Sequence, residues 1–580
     1  MTRRNGAVAH LLENIAKLLA LKGESPFRIR AYTEAARTIG SMTEDIEDLR
    51  RAGRLEQIPG VGPSIAAKVA EYLETGRSNY YEELKRQVPV AAVELLEVPG
   101  IGPARAKLLH EHLGISSITA LQQAAREHKL QALPGFGAKL EEKIAREAAR
   151  VMQRTRRILL GVALPAAEEI INLLRDNPVV RDIDPAGSIR RMKETIGDID
   201  ILVSSDRPTA VMSAFTGLPI VTEVLAKGPT RASILTTDNL QIDIRVIPPD
   251  EYGSALQYFT GSKDHNIALR TLAISQSWKL SEYGLFDEHG RRLASKTEED
   301  IYHALGTDWI PPELRENRGE IEAARHHRLP DLVELSDIHG DLHVHTNWSD
   351  GQDSPERMVT EAIGHGYQYI GITDHSPSLG VARGLSAERL GEQRRLIDRL
   401  NQQYIPFRVL QGAEVNIRAD GELDYPDTVL AELDFVIGAV HSAFDQPRER
   451  MTARIVKALS NPHVDILAHP LGRLLLRRPG YDVDLDVVLD AAVDNGVAVE
   501  VDGQPDRLDL DDVWSRRASE RGARLVCDSD AHATGQLAYI RYAVATARRG
   551  WVEEKNVLNT LPLERLLAYL GRRGRKTRVA

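Results

Sequence analysis

The chain holds a single cysteine, Cys527. That excludes a disulfide framework and a thiolate zinc site, and it fits a reducing compartment. Cys527 ends the apolar run Leu525-Val526-Cys527 and reads as a small buried side chain. There is also no signal peptide and no apolar run approaching roughly 18 residues. The chain therefore reads as soluble and cytoplasmic, with no membrane partner. Positive charge is not in excess either, since the formal net charge is −10. This leaves nucleic acid open as a partner, because only the contacting face must be basic. Both ends are locally basic, with Arg3-Arg4 at the start and Gly571-Arg-Arg-Gly-Arg-Lys-Thr-Arg578 at the end. The tail reads as a solvated segment, with contact to nucleic acid as the alternative.

What is present is length and repetition. At 580 residues the chain has room for three to five domains at roughly 100–200 residues each. The first 150 residues have helical patterns and repeat one motif three times, as Ile58-Pro-Gly-Val-Gly62, Val98-Pro-Gly-Ile-Gly102 and Leu133-Pro-Gly-Phe-Gly137. Each copy lies between two helices. Such a turn leaves free backbone N–H groups at a helix N-terminus, and its glycines let a phosphate come close. Gly60, Gly62, Gly100, Gly102, Gly135 and Gly137 are the candidate DNA-backbone contacts. The motif resembles the helix-hairpin-helix of DNA repair proteins, which grips sugar-phosphate without reading sequence. Lys68 lies six residues after Gly62. Its amine would form a Schiff base with an abasic sugar if burial lowers its pKa. An ordinary surface lysine is the simpler alternative.

Residues 158–250 alternate helix and strand. Gly187-Ser188-Ile-Arg190-Arg191 precedes Gly197-Asp198-Ile-Asp200-Ile-Leu-Val203. The strand period of two puts Asp198 and Asp200 on one face. A later strand, Leu240 to Val246, carries Asp243. Three carboxylates on neighbouring strands are able to hold two Mg²⁺ (or Mn²⁺) ions about 3.5–4 Å apart. Ser188 and Arg191 offer a hydroxyl and charge-assisted bonds to phosphate.

These residues resemble the palm of the family X DNA polymerases, which belong to the polymerase-beta-like nucleotidyltransferases. The resemblance makes Asp198, Asp200 and Asp243 the catalytic metal ligands, with Ser188, Arg191 and Gly197 near the nucleotide. It places Tyr258, Phe259 and Gly261 around the incoming sugar, and Asn266 and Arg270 at the nascent base pair and template. Tyr32 and Lys68 match lyase-domain positions of that family. The chain departs from the pattern at Gln241, where vertebrate relatives have an arginine. It departs again at Arg77-Ser-Asn-Tyr80, which lacks a lysine for the 5′ phosphate, and at Ala166, where a triphosphate-binding arginine is expected. Lys263 is a candidate compensating cation.

In the last 240 residues, seven short apolar stretches read as strands, and six end in histidine or carboxylate. Strands alternating with helices pair in parallel, and seven or eight such units close into a barrel. Reactive groups in such barrels sit at the carboxyl ends of the strands. The candidates are His343, His345, Asp350, His375, Glu414, His441, His469, Asp530 and His532. Nine ligands suit two or three metal ions, and a set without sulfur suits Mn²⁺, Zn²⁺ or Fe²⁺. Asp374 and Asp528 are candidate orienters of those ligands. The stretch Val497 to Val501 lacks a clear ligand, so its Glu500 either supports the others or marks an open side. His339, His365 and His463 lack strand-end placement and are set aside. The series from Asp341-Leu-His-Val-His345 to Ser529-Asp-Ala-His532 resembles the PHP (polymerase and histidinol phosphatase) domain, which implies a distorted (β/α)7 barrel, a trinuclear metal site and phosphoester hydrolysis.

The expected fold is multidomain. All-α helix-hairpin-helix domains come first, then an α+β nucleotidyltransferase palm and thumb, then the barrel. The expected boundaries are a lyase-like helical domain at 1–86, a second hairpin subdomain at 87–155, and the palm at 156–250. A nascent-base-pair subdomain follows at 251–312, a polar linker at 313–338, the PHP domain at 339–572 and a basic tail at 573–580. The whole implies a monomeric repair polymerase acting on gapped or nicked double-stranded DNA with deoxynucleoside triphosphates. The barrel then supplies a Mn²⁺-favoured 3′–5′ exonuclease or 3′-end-processing activity. The alternative keeps the polymerase and makes the barrel structural or regulatory.

Overall fold

The computed structural model describes residues 3–41, 46–87, 93–98, 100–154, 157–238, 240–379 and 382–571. The basic tail at 573–580 and Pro99 of the second hairpin lie outside them. The chain divides into two compact units, 1–157 and 158–580. Among the described residues no helix is long and apolar enough to cross a membrane.

The first unit is helical and holds the three hairpins around one apolar core, which includes Ile58, Val61, Val98, Ile101, Leu133 and Phe136. A single 3-10 turn precedes each motif, at Leu55–Gln57, Glu94–Glu97 and Leu130–Ala132. The first motif glycine is left-handed in all three, with φ of +85° at Gly60, +97° at Gly100 and +82° at Gly135. A side chain is disfavoured there, so glycine is the default residue. The second glycine is extended where it caps the next helix. Gly62 caps Pro63–Thr75 and Gly102 caps Pro103–Leu113. Proline at the first helical position suits a site with no N–H partner to lose.

The second unit opens with a five-stranded mixed sheet. Its spatial order is Asp182–Pro185, Ile199–Ser204, Gln241–Ile247, Arg231–Thr236 and Val221–Lys227. Ile199, Ile201 and Val203 alternate onto the face that packs against helices Leu160–Arg175 and Pro208–Thr216. That leaves the other face to Asp200 and Leu202. Residues 252–304 add three helices, Tyr252–Thr260, Lys263–Ser275 and Glu298–Ala304, and a small three-stranded sheet.

The seven stretches of the C-terminal region all form strands. Gly340–Val344, Tyr369–Ile372 and Arg408–Gln411 make one parallel sheet, and Glu414–Asn416 through Leu525–Asp528 make the other. Two parallel bridges, His375 to Glu414 and Val344 to Ala531, join the sheets into a ring. The third stretch breaks at Gly412-Ala413, so its halves pair with different neighbours and the barrel is distorted.

The expected linker at 313–338 is corrected. Arg315 is fully buried, and helix Glu320–Arg325 packs into the same core as Leu269, Leu285 and Tyr302. Glu298 takes both Arg190 (2.8 Å) and Arg315. Glu320 meets His265 Nδ1 at 2.6 Å. Arg315 and Glu320 are polar residues paired inside the fold, while Arg325 to Arg328 stay exposed.

Candidate active sites

On the mixed sheet, Asp200 and Asp243 are register partners on parallel strands. Asp198 is exposed in the turn that leads in. The three carboxylates therefore gather at one end of two adjacent strands. Gly187 abuts them: its φ is +61°, and an added Cβ would lie 2.9 Å from Asp200 Oδ2. Burial first, then the neighbouring Asp243 and Asp198, push the Asp200 carboxyl up to about 6. Crowded carboxylates that resist ionising together suit divalent cations, whose charge reverses that penalty. Asp243 is held by Gln241 Nε2 at 3.2 Å and Arg231 Nη2 at 3.3 Å. Arg231 was not among the sequence candidates. It comes from the adjacent antiparallel strand, a pairing that no local pattern shows.

The cavity over this site is lined by Ala186, Asp200, Arg231, Asp243, Arg245 and Phe259 among others. Phe259 packs edge-on to Tyr258 at 5.2 Å and lies under Arg245 at 4.6 Å. Ser188 lies half-buried on the short helix Gly187–Arg190, and Gly197 is exposed. Gly261 has no room for a side chain, since a Cβ would lie 2.6 Å from Asn266 Oδ1. The Asn266 amide closes that turn, donating to Tyr258 O at 2.7 Å and Gly261 O at 3.2 Å. Arg270 is exposed and donates to Asn266 O at 3.2 Å. Lys263 is exposed at the start of its helix. Arg191 differs from expectation. It is not open to the cavity but donates to Glu316 Oε1 (2.9 Å) and Thr260 O (2.7 Å).

In the first unit, Lys68 is partly buried. Its Nζ donates to Ser64 O and Oγ at 2.8 and 2.9 Å and sits 4.7 Å from the Tyr80 ring centroid. Partial burial lowers its pKa, and nearby Arg28 lowers it further. Tyr32 stacks on Tyr80 at 6.3 Å.

The barrel gathers all nine candidates. Glu414 is the hub. Its Oε1 lies 3.0 Å from His469 Nε2 and 3.1 Å from His441 Nε2. Its Oε2 lies 2.7 Å from His375 Nδ1 and 3.6 Å from His343 and His345 Nε2. Asp530 Oδ1 is 3.1 Å from His345 Nε2. Asp350 and His532, 3.6 Å apart, are the more exposed members and form the mouth. Three groups share their members: His345, Asp350, His375 and His532; His343, His345 and Asp530; His375, Glu414 and His441. In each, the ligand atoms lie within 4.8 Å of one another.

This donor set fits divalent ions. His343 Nε2, both ring nitrogens of His345, His375 Nδ1 and His469 Nδ1 are buried without a hydrogen bond. His375 Nδ1 comes close to Glu414 yet lacks hydrogen-bond geometry, as expected of two ligands facing a shared cation. Burial, then His532 and His375, push His345 down to about 3, so its imidazole is neutral and one ring nitrogen keeps a lone pair for a metal. His469 and Asp530 have positive φ, +28° and +49°. Such strain in non-glycine residues gathers at functional sites.

Of the groups that support these ligands, only Asn416 was outside the sequence candidates. Glu500 accepts from His343 Nδ1 (2.6 Å) and from the His469 backbone N–H (2.7 Å), so it supports ligands and does not mark an opening. Asn416 Oδ1 meets His441 Nδ1 at 2.5 Å. Glu414 and Asn416 alternate on one strand, and that period of two was the available signal. Asp374 serves the turn 346–349 through Thr346 and Ser349 and touches no histidine. Asp528 takes the Leu342 N–H at 2.8 Å.

Comparison with known proteins bears on the family. Four family models match: a helix-hairpin-helix domain at 3–78, a SAM-like helix-hairpin-helix tandem at 92–150, the DNA polymerase beta thumb at 255–316 and the PHP domain at 341–501. The DNA polymerase/3′-5′ exonuclease PolX of Bacillus subtilis is 39% identical over 568 residues, covering 97% of this chain and 99% of that protein. A probable phosphatase of a Thermoanaerobacter species is 30% identical over 247 residues, covering 41% of this chain and 96% of the phosphatase. DNA polymerase lambda of Rattus norvegicus is 25% identical over 348 residues, covering 54% of this chain and 57% of its own.

Proposed function

The chain belongs to the family X DNA polymerases that carry a PHP domain, and from that premise we propose that it fills short gaps during DNA repair and processes 3′ ends in the barrel. The observation that carries the polymerase half is the pairing of Asp200 with Asp243 in register, with Asp198 at the entry to the same strand. The hairpin loops would hold the duplex by backbone N–H groups, with Gly60, Gly62, Gly100, Gly102, Gly135 and Gly137 allowing the approach. Phe259 and Tyr258 would flank the incoming sugar. Gapped or nicked DNA and deoxynucleoside triphosphates are the substrates, and a cytoplasmic monomer fits the reading.

Two Mg²⁺ or Mn²⁺ ions on the Asp triad, and two or three Mn²⁺, Zn²⁺ or Fe²⁺ ions in the barrel, would activate a 3′ hydroxyl and a water respectively and neutralise phosphate charge. The protein's share is orientation. Gly187 leaves Asp200 its place, and Gln241 and Arg231 fix Asp243. Glu500 and Asn416 fix His343 and His441 so that the other ring nitrogen faces the cluster. The barrel would then prepare or correct the end that the triad extends. Lys68, partly desolvated beside Tyr80, supports a lyase step on abasic sugar.

The test is labelled gapped DNA with Mn²⁺, with and without nucleotides. Asp198→Ala with Asp200→Ala is expected to abolish extension and spare trimming, and His343→Ala to do the reverse. Full exonuclease activity in the His343 variant would refute the assignment of trimming to the barrel.

A further inference from the structure

We propose that Arg549, on helix Ile540–Arg549 beside the barrel, is a positioning residue for the triphosphate pocket of the polymerase. The proposal rests on the polymerase reading above. Glu316 Oε1 receives Arg191 Nε at 2.9 Å, Arg549 Nη1 at 3.2 Å and Lys193 Nζ at 3.7 Å. Arg549 Nη1 also donates to the carbonyl of Arg191 at 2.6 Å. Its Nη2 reaches Asp512 at 2.6 Å, and Arg318 reaches the same oxygen at 2.9 Å. Helix Ile540–Arg549 thus grips both the side-chain partner and the backbone of Arg191, the residue the sequence assigns to phosphate.

These six linked groups are four cations and two carboxylates, and each is no more than a third exposed. A desolvated cluster with surplus positive charge favours an incoming anion. It adjoins the catalytic carboxylates: Lys193 N donates to Ser188 O at 3.0 Å, and a Cβ on neighbouring Gly187 would lie 2.9 Å from Asp200 Oδ2. A nucleoside triphosphate that recruits Arg191 must draw it from Glu316. Arg549 makes this easier, because it neutralises Glu316 from the opposite side and anchors the Arg191 backbone. Without Arg549, Glu316 would have only Arg191 and Lys193 as cationic partners in this cluster, and it would hold Arg191 back from the triphosphate.

Single-nucleotide gap filling by the full-length protein tests this. Arg549→Met is expected to raise the KM for the nucleotide roughly tenfold, with kcat changed less than about threefold and nuclease trimming unchanged. Adding Glu316→Gln to Arg549→Met removes the competing carboxylate and should return KM toward wild type, a rescue that loss of mere packing does not predict. An unchanged KM in Arg549→Met, or no rescue in the double variant, overturns the proposal. If Arg549→Met does not fold, Arg549→Lys replaces it. Lysine cannot bridge Glu316, Asp512 and the Arg191 carbonyl together, so KM should still rise severalfold, and a wild-type KM overturns the proposal. Absence of extension by the wild-type protein would instead undo the polymerase reading itself.

Discussion

Oε1 of Glu500 lies 2.6 Å from Nδ1 of His343, and neither residue is exposed to solvent. The contact fixes the imidazole so that Nε2, which has no hydrogen-bond partner of its own, faces the cluster. Glu500 is not itself in any of the three ligand groups. Glu500→Gln keeps the shape but loses the charge that makes His343 a better donor. We expect barrel metal affinity and trimming rate to fall about 10–100-fold, with gap filling unchanged. Metal retained after dialysis, counted by elemental analysis beside the trimming rate, checks this. Wild-type metal content and rate would show that Glu500 merely fills space.

Gly187→Ala probes the other centre. Its left-handed φ and the 2.9 Å approach to Asp200 Oδ2 both oppose a methyl group. The displaced carboxylate is one of three that must converge, and a shift near 1 Å costs about 10²-fold. Extension should fall by roughly that factor while trimming in the same preparation persists. An alanine variant that extends gaps at the wild-type rate would mean that Asp200 tolerates the shift.

Much of this arrangement was legible in the sequence because it is local. Alternation along a strand puts His343 with His345 on one face whatever the rest of the chain does, whereas Asp198, expected on the strand with Asp200, lies in the turn just before it. The three hairpins were legible because a positive φ calls for glycine and the repeat came in register. Cys527 reads as buried and is buried. What could not be read was pairing between distant segments. Arg315 and Glu320 looked like linker polarity, yet Arg315 finds Glu298 and Glu320 finds His265 across 17 and 55 residues. Arg191 looked available to phosphate, yet Glu316 claims it from 125 residues away. Arg231 and Arg549 were missed for the same reason, since each acts on a residue its own neighbourhood does not contain.

The long-range pairs also predict a pH dependence. Glu298 is almost fully buried and is gripped by Arg190 and Arg315, with Trp309 Nε1 at 3.3 Å. Burial alone would raise its carboxyl, but Arg315 and Arg190 outweigh it and hold the group at about 2, against an ordinary 4.5. The folded pKa is the lower one. The stabilisation is therefore fully present above pH 4.5 and is lost as pH falls through about 2. Glu298→Gln leaves two arginines without their anion, which for a buried pair costs about 3–5 kcal/mol. Urea unfolding of wild type and variant should differ by a constant amount from pH 8 to about 5, and the gap should close between about 4.5 and 2, where Glu298 is protonated in the unfolded chain and still ionised in the folded one. A gap that stays constant down to pH 2.5 would mean that the loss comes from shape and not from charge.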